Sequence, residues 1–127
     1  PRIMASILKV DELQGIAAAK TVTVTVGATA TQSLEQGLGK MWVNLTNAAV
    51  INDSFNVSSV VDDNTGRYTV NFTNAFTNND YANAMIAIDA DGNGFISSEA
   101  TTSVRYNNYA GGFVDAPTEG MIMGYLA

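Results

Sequence analysis

A chain of 127 residues with 46% hydrophobic content holds enough for one core, and its twelve acids against six bases, a formal charge of −6, exclude the clustered basic surface that nucleic-acid binding needs. Cysteine and histidine are both absent, which removes disulfides, thiolate metal sites, any Ser-His-Asp set and the commonest general base. No apolar run approaches the roughly 20 residues that span a bilayer, so no membrane insertion is expected.

Residues 1–20 alternate only weakly, and Ile3, Ile7 and Val10 fit helical spacing equally well; we read an extended amino-terminal arm. Thr21–Val26 sets three valines on one face against three threonines on the other and ends at Gly27, which predicts a strand. Ser33-Leu34-Glu35-Gln36 has capping-box spacing and Leu34 pairs with Leu38 at i,i+4, before Gly37 and Gly39 limit the helix to a turn or two. Strands are then expected near 41–46, 54–61, 67–73, 82–88, 94–97, 102–107 and 120–126, divided by Asn/Asp/Gly clusters. Within them Phe55, Val57, Ser59 and Val61 fall on one side. After a turn at Asp62–Gly66, Tyr68, Val70 and Phe72 resume that side, while Arg67, Thr69, Asn71 and Thr73 take the other. The sum is an all-β chain, an antiparallel β-sandwich of about 7–8 strands, with an arm over 1–20, a sandwich domain over 21–127 and one short helical turn.

Trp42 shares a strand face with Asn44 and Thr46, opposite Met41, Val43 and Leu45. Two readings follow: the sheet is covered on both faces and Trp42 is core, or Trp42, Asn44 and Thr46 form an oligomer interface. An indole left in water would waste much of the roughly 150–250 Å² that an aromatic side chain can bury.

The segment Asp89–Glu99 reads at first like a calcium loop, with Asp89, Asp91 and Asn93 at ligand spacing. Position 12, however, is Ala100, and the nearest carboxylate, Glu99, is one residue out of register. Its flanks look like strands, so a hairpin tip is expected and no cofactor; a calcium site would use Asp89, Asp91, Asn93 and Glu99. Tyr106, Tyr109 and Phe113, near Asn107 and Asn108, could contact a glycan or anchor loops against the sandwich. Asp62 and Asp63 are adjacent and point to opposite faces, and no phosphate-cradling loop precedes a helix, so enzymatic activity is not expected.

The wording of one stretch adds to this. Trp42-Val43-Asn44, then Ser54-Phe55-Asn56-Val57-Ser58-Ser59, then Asp63-Asn64-Thr65-Gly66-Arg67-Tyr68-Thr69-Val70-Asn71-Phe72 resembles a module of tail-fibre and other virion appendage proteins of tailed bacteriophages. Ser6–Gln14 is similar to the opening segment of many phage fibre chains. The resemblance implies a structural protein of the virion, assembled in the bacterial cytoplasm: a homotrimeric tail-fibre or appendage subunit that contacts other virion proteins and takes part in host attachment. It also implies that Ile3, Ile7, Leu8, Val10 and Leu13 dock the arm on the particle. The alternatives are a capsid decoration (cement) protein stabilising the head and a glycan-binding module.

Overall fold

The computed structural model describes residues 10, 12, 22–26, 30–88 and 93–127. The chain divides into two compact units, Pro1–Glu35 and Gln36–Ala127. In the first, β1 (Thr23–Val26) pairs antiparallel with β2 (Ala30–Ser33) as a two-stranded sheet, Val24 opposite Gln32. The valine-threonine strand expected to join the sandwich thus pairs locally instead, with a partner whose sequence, Ala-Thr-Gln-Ser, carries no apolar alternation to announce it. The turn of helix α1 (Leu34–Gly37) follows, and the Leu34 N–H donates to the Val22 carbonyl at 2.8 Å.

The second unit holds β3 (Met41–Leu45), β4 (Ile51–Phe55), β5 (Val57–Asn64), β6 (Arg67–Phe72), β7 (Ala82–Ala87), β8 (Asn93–Glu99), β9 (Ser103–Tyr109) and β10 (Thr118–Met123). They form two four-stranded antiparallel sheets, β4-β3-β10-β7 and β5-β6-β9-β8, a β-sandwich. The central strands supply the core: Met41, Val43 and Leu45 from β3, Ile122 from β10, Tyr68, Val70 and Phe72 from β6, Val104 and Tyr106 from β9. Alternation puts them there, since β3 and β6 bury every second residue. Edge strands add partly buried Ile51, Val57, Val60, Met85 and Ile96. One end is closed by Phe72, Phe76 and Tyr81, with Phe76 and Tyr81 ring centroids 4.7 Å apart.

Two features of the connections differ from the sequence expectation. The strand expected over 54–61 is two strands in two sheets, turned at Asn56, whose φ of 58° is the left-handed conformation that asparagine tolerates better than most residues. The Asn56 side chain holds this corner from both ends: its amide donates to the Asn74 carbonyl at 3.1 Å and its Oδ1 accepts from the Asn74 N–H at 2.7 Å. Beyond it a register shift between Val57 and Ser59 inserts a bulge, so Val57 and Val60 meet the core while Ser59 and Val61 are exposed, and Phe55 faces outward. The second difference concerns β7 and β8, expected as a hairpin around 89–92. They lie in different sheets and do not pair with each other as a hairpin.

One glycine sets the spacing between the sheets. A Cβ on Gly120 of β10 would lie 2.5 Å from the Tyr106 hydroxyl and 2.6 Å from two of its ring carbons. The Tyr106 ring, from the opposite sheet, therefore occupies the place of a side chain, and its hydroxyl donates to Asn83 Oδ1 at 3.0 Å. Burial pushes the Tyr106 hydroxyl well above its ordinary pKa, against a smaller opposing effect of the Asn83 hydrogen bond.

Candidate interaction surface

Because side chains alternate, the residues of β3 and β10 that do not enter the core project together from the outer face of their sheet. Register places Phe55 beside Trp42, Trp42 beside Met121 and Met121 beside Ala84, one row across all four strands. Directly opposite side chains in such a ladder stand about 4.5–5.5 Å apart and touch. The row is open to solvent: Trp42 is 39% exposed, Met121 48% and Phe55 50%. The neighbouring row runs Asp53, Asn44, Glu119, Ile86, and Ile86 is 58% exposed.

Two polar members of the second row, Asn44 and Glu119, hold one another. The Asn44 amide donates to Glu119 Oε1 at 2.7 Å, and Asn52, which the register shift in β4 turns toward β3, donates to Asn44 Oδ1 at 2.8 Å. Between the rows runs an open groove of about 470 Å³ lined by Trp42, Asn44, Ala84, Ile86, Glu119 and Met121. Glu119 gives it negative charge. A surface of this kind, with large apolar side chains flanked by fixed hydrogen-bonding groups, suits packing against another chain.

Trp42 and Asn44 stand on this surface, so Trp42 is not core. The Thr46 hydroxyl is engaged locally. Its hydroxyl oxygen accepts from the Ala48 and Val50 N–H groups, each at 3.2 Å, and so shapes the β3–β4 turn in which Ala49 has a φ of 57°. Met121, Phe55, Ala84, Ile86 and Glu119 join the surface without having been singled out by sequence. Alternation within Thr118–Met123 and Ala82–Ala87 carries the signal for four of them; for Phe55 the run Phe55-Val57-Ser59-Val61 points the wrong way.

The expected glycan contacts separate. Tyr106 is fully buried in the core and cannot stack on a ligand, and Asn107 and Asn108 are buried with it. Tyr109 and Phe113 are exposed, but they are engaged with their neighbours: their rings meet edge to face at 5.6 Å, Phe95 lies 6.4 Å from Phe113, and the Arg67 guanidinium sits 3.9 Å above the Phe113 ring. The segment from Ala110 to Pro117 folds back over its own sheet and is pinned there. The Asn108 amide donates to Thr118 Oγ1 at 2.8 Å, Val114 N–H to the Asn108 carbonyl at 3.2 Å, and Gly66 N–H to Asp115 Oδ1 at 2.6 Å. Gly66, with φ of 65°, leaves room for this, since a Cβ there would stand 2.6 Å from the Val114 nitrogen. This is loop anchoring.

Of the candidate calcium ligands, Asp89 and Asp91 lie outside the described residues. Asn93 and Glu99 stand at opposite ends of β8. Six residues of strand separate them by about 20 Å, so they cannot share an ion. No group of three or more His, Cys, Asp or Glu able to hold a metal occurs among the described residues. Among those same residues no helix is long and apolar enough to cross a membrane. Of the arm positions, Val10 is exposed, and Ile3, Ile7, Leu8 and Leu13 lie outside the described residues. No protein family, curated protein or solved structure matches this chain.

Proposed function

We propose that this chain is a non-enzymatic structural subunit of a tailed-bacteriophage virion, a tail-fibre or appendage protein that works by assembling with copies of itself, as a homotrimer, in the service of host attachment. The observation that supports this reading is the outer face of the β4-β3-β10-β7 sheet, where Phe55, Trp42 and Met121 stand side by side in solvent. The wording of residues 42–72 supplies the virion context. Each ring or thioether on that face becomes buried when the subunits associate, and hydrophobic burial of this kind drives most protein assembly.

The test is Trp42→Ala followed by multi-angle light scattering across a concentration series. Truncation of a buried interface aromatic commonly costs about 2–4 kcal/mol, so the variant should dissociate at concentrations where the unaltered protein is trimeric. A wild-type monomer at tens of micromolar, or an unchanged trimer in the variant, would count against the arrangement. Copy number per particle then separates an appendage, present in a few tens at most, from a capsid decoration protein, present in hundreds.

A further inference from the structure

We propose that β7 pairs edge to edge with β7 of a second copy, antiparallel about a two-fold axis at Ala84, so that two β4-β3-β10-β7 sheets become one sheet of eight strands. This goes beyond the homotrimer reading: it adds a contact at a sheet edge, made by main-chain groups, to the packing of the outer face.

The edges of the two sheets are not alike. The edge strands are β4, β7, β5 and β8. Chains blunt an edge against pairing with charge, proline or a bulge, and three of these four are blunted twice. β4 carries Asp53 and a register shift against β3, β5 carries Asp62 and Asp63 and register shifts against β6, and β8 carries Glu99 and a register shift against β9. β7, Ala-Asn-Ala-Met-Ile-Ala, has neither charge nor proline and keeps its register with β10 unbroken from Ala82 to Ala87. Among the described residues no strand pairs with its other side. The Ile88 N–H donates to the Pro117 carbonyl at 2.7 Å, and bonding residues alternate along an antiparallel ladder. Ile86 and Ala84 therefore bond to β10, while the N–H and C=O groups of Asn83 and Met85 point out of the sheet.

Charge and register select the occupant. β7 alone among the edges offers a straight, uncharged ladder, so the strand that matches it best is a second β7, and a two-fold contact of this kind is self-complementary. Outward side chains must meet outward ones, which puts the axis on a residue. Centring on Met85 would draw in Ala87, whose nitrogen lies 3.4 Å from the place of a Cβ on Gly94 of β8, and centring on Asn83 would draw in the buried Tyr81. Ala84 centres the pairing on Ala82–Ile86, sets Asn83 in a hydrogen-bonded pair with Met85 of the second copy, and puts Ala82 opposite Ile86. The row Phe55, Trp42, Met121, Ala84 then runs on into Ala84, Met121, Trp42 and Phe55 of the second copy. The row that holds Asp53 and Glu119 runs on from Ile86 into Ala82 and Met123, so no carboxylate meets another across the junction.

The chain has no cysteine, so single introduced thiols report the contact without background. Oxidised with copper phenanthroline, Ala84→Cys should cross-link to itself, because directly opposed residues in a non-hydrogen-bonded pair have Cα atoms about 4.5 Å apart, within disulfide range. Ile86→Cys alone should not cross-link, whereas a mixture of Ala82→Cys and Ile86→Cys chains should. In parallel, the Asn83 and Met85 amides of the unaltered protein should exchange slowly with deuterium at concentrations that assemble and quickly on dilution. Equal cross-linking at positions 84 and 86, or no cross-link and unprotected Asn83 and Met85 amides while light scattering still shows a trimer, would overturn the edge contact and leave the homotrimer reading standing. The expected cross-links together with an unchanged mass in Trp42→Ala would uphold the edge and overturn the Trp42 face. A monomer at every concentration would overturn both.

Discussion

The Gly120→Ala variant tests the packing between the sheets most directly. The added carbon would meet three atoms of Tyr106 at 2.5–2.6 Å. Carbon atoms in contact prefer about 3.5–4.0 Å, so the ring or β10 must move by about 1 Å. Neither is free to do so cheaply. Tyr106 is completely buried and tied to Asn83, and Gly120 pairs with both Val43 and Met85 in the middle of its sheet. Overpacking a tight core costs about 1–3 kcal/mol, and a clash with a fixed ring on the central strand of a sheet belongs at the top of that range. In a domain of this size about 3 kcal/mol corresponds to a fall in Tm of roughly 10 °C. Urea titration monitored by circular dichroism reads it, with Gly112→Ala as the control, since nothing lies within 4 Å of a Cβ there. A Gly120→Ala protein within about 0.5 kcal/mol of wild type, the scatter of neutral surface changes, would refute the account of Tyr106 as filler for the missing side chain.

Burial raises the Tyr68 and Tyr81 hydroxyls from 10.0 to about 12, and Asp115 and Glu99 respectively add to the shift. The folded state thus keeps protons that the unfolded chain releases, so the stability they contribute is complete below pH 10 and is lost as pH rises from there toward 12. Urea midpoints that hold steady up to about pH 9 and then fall are expected, and a midpoint unchanged at about pH 11 would contradict it. Calcium should bind no tighter than about 10⁻⁴ M, because Ala100 stands where a loop of this type needs its bidentate carboxylate; micromolar affinity by isothermal titration would overturn that. Phe113→Ala should cost about 1–2 kcal/mol of folding stability by removing the ring that Arg67, Tyr109 and Phe95 share, yet leave light scattering unchanged.

What is legible in the sequence follows from where each strand sits. β3, β6 and β10 are central, each with one face in the core, and their period of two can be read residue by residue. Edge strand β5 cannot be read that way, since its bulge at Val57–Ser59 shifts the alternation, and a period count assumes none. The corner at Asn56 is equally hidden, because a left-handed asparagine inside an apolar-alternating run has no signature apart from the asparagine itself. The same division holds at the surface. That Trp42 points away from Met41 and Val43 is a local fact. That Phe55, Met121 and Ala84 stand beside it is set by the strand order β4-β3-β10-β7, which joins residues far apart in the chain. The burial of Asn107 and Asn108 escapes a sequence reading for a related reason: both faces of β9 are buried there, one by the core and the other by a connection whose path depends on Gly66 and Asp115.

The two outer faces of the sandwich meet the same physical problem differently. Each carries aromatic or long apolar side chains on strands that are otherwise polar outward. On the β5-β6-β9-β8 sheet the chain packs its outer rings on one another: Phe113 returns over Arg67 beside Phe95 and Tyr109, all three rings still partly open to solvent, Asn107 is sealed from water, and the hydrogen bonds of Asp115 and Asn108 fix the segment in place. On the β4-β3-β10-β7 sheet Trp42, Met121, Phe55 and Ile86 stand exposed on the strands themselves. The area they leave exposed adds nothing to the folding of a single copy, because it is not removed from water. At about 25 cal/mol per Å² that area becomes stabilising only when something is laid upon it. Selection for folding alone would favour threonine or lysine at these positions, as on ordinary wet sheet faces. An ordered polar row, Asn52 to Asn44 to Glu119, runs beside the apolar one, so the face is built rather than merely unprotected. A surface with fixed hydrogen-bond geometry and exposed aromatics would gain stabilisation from association, and this is what supports the proposal that the protein is a component of an assembly.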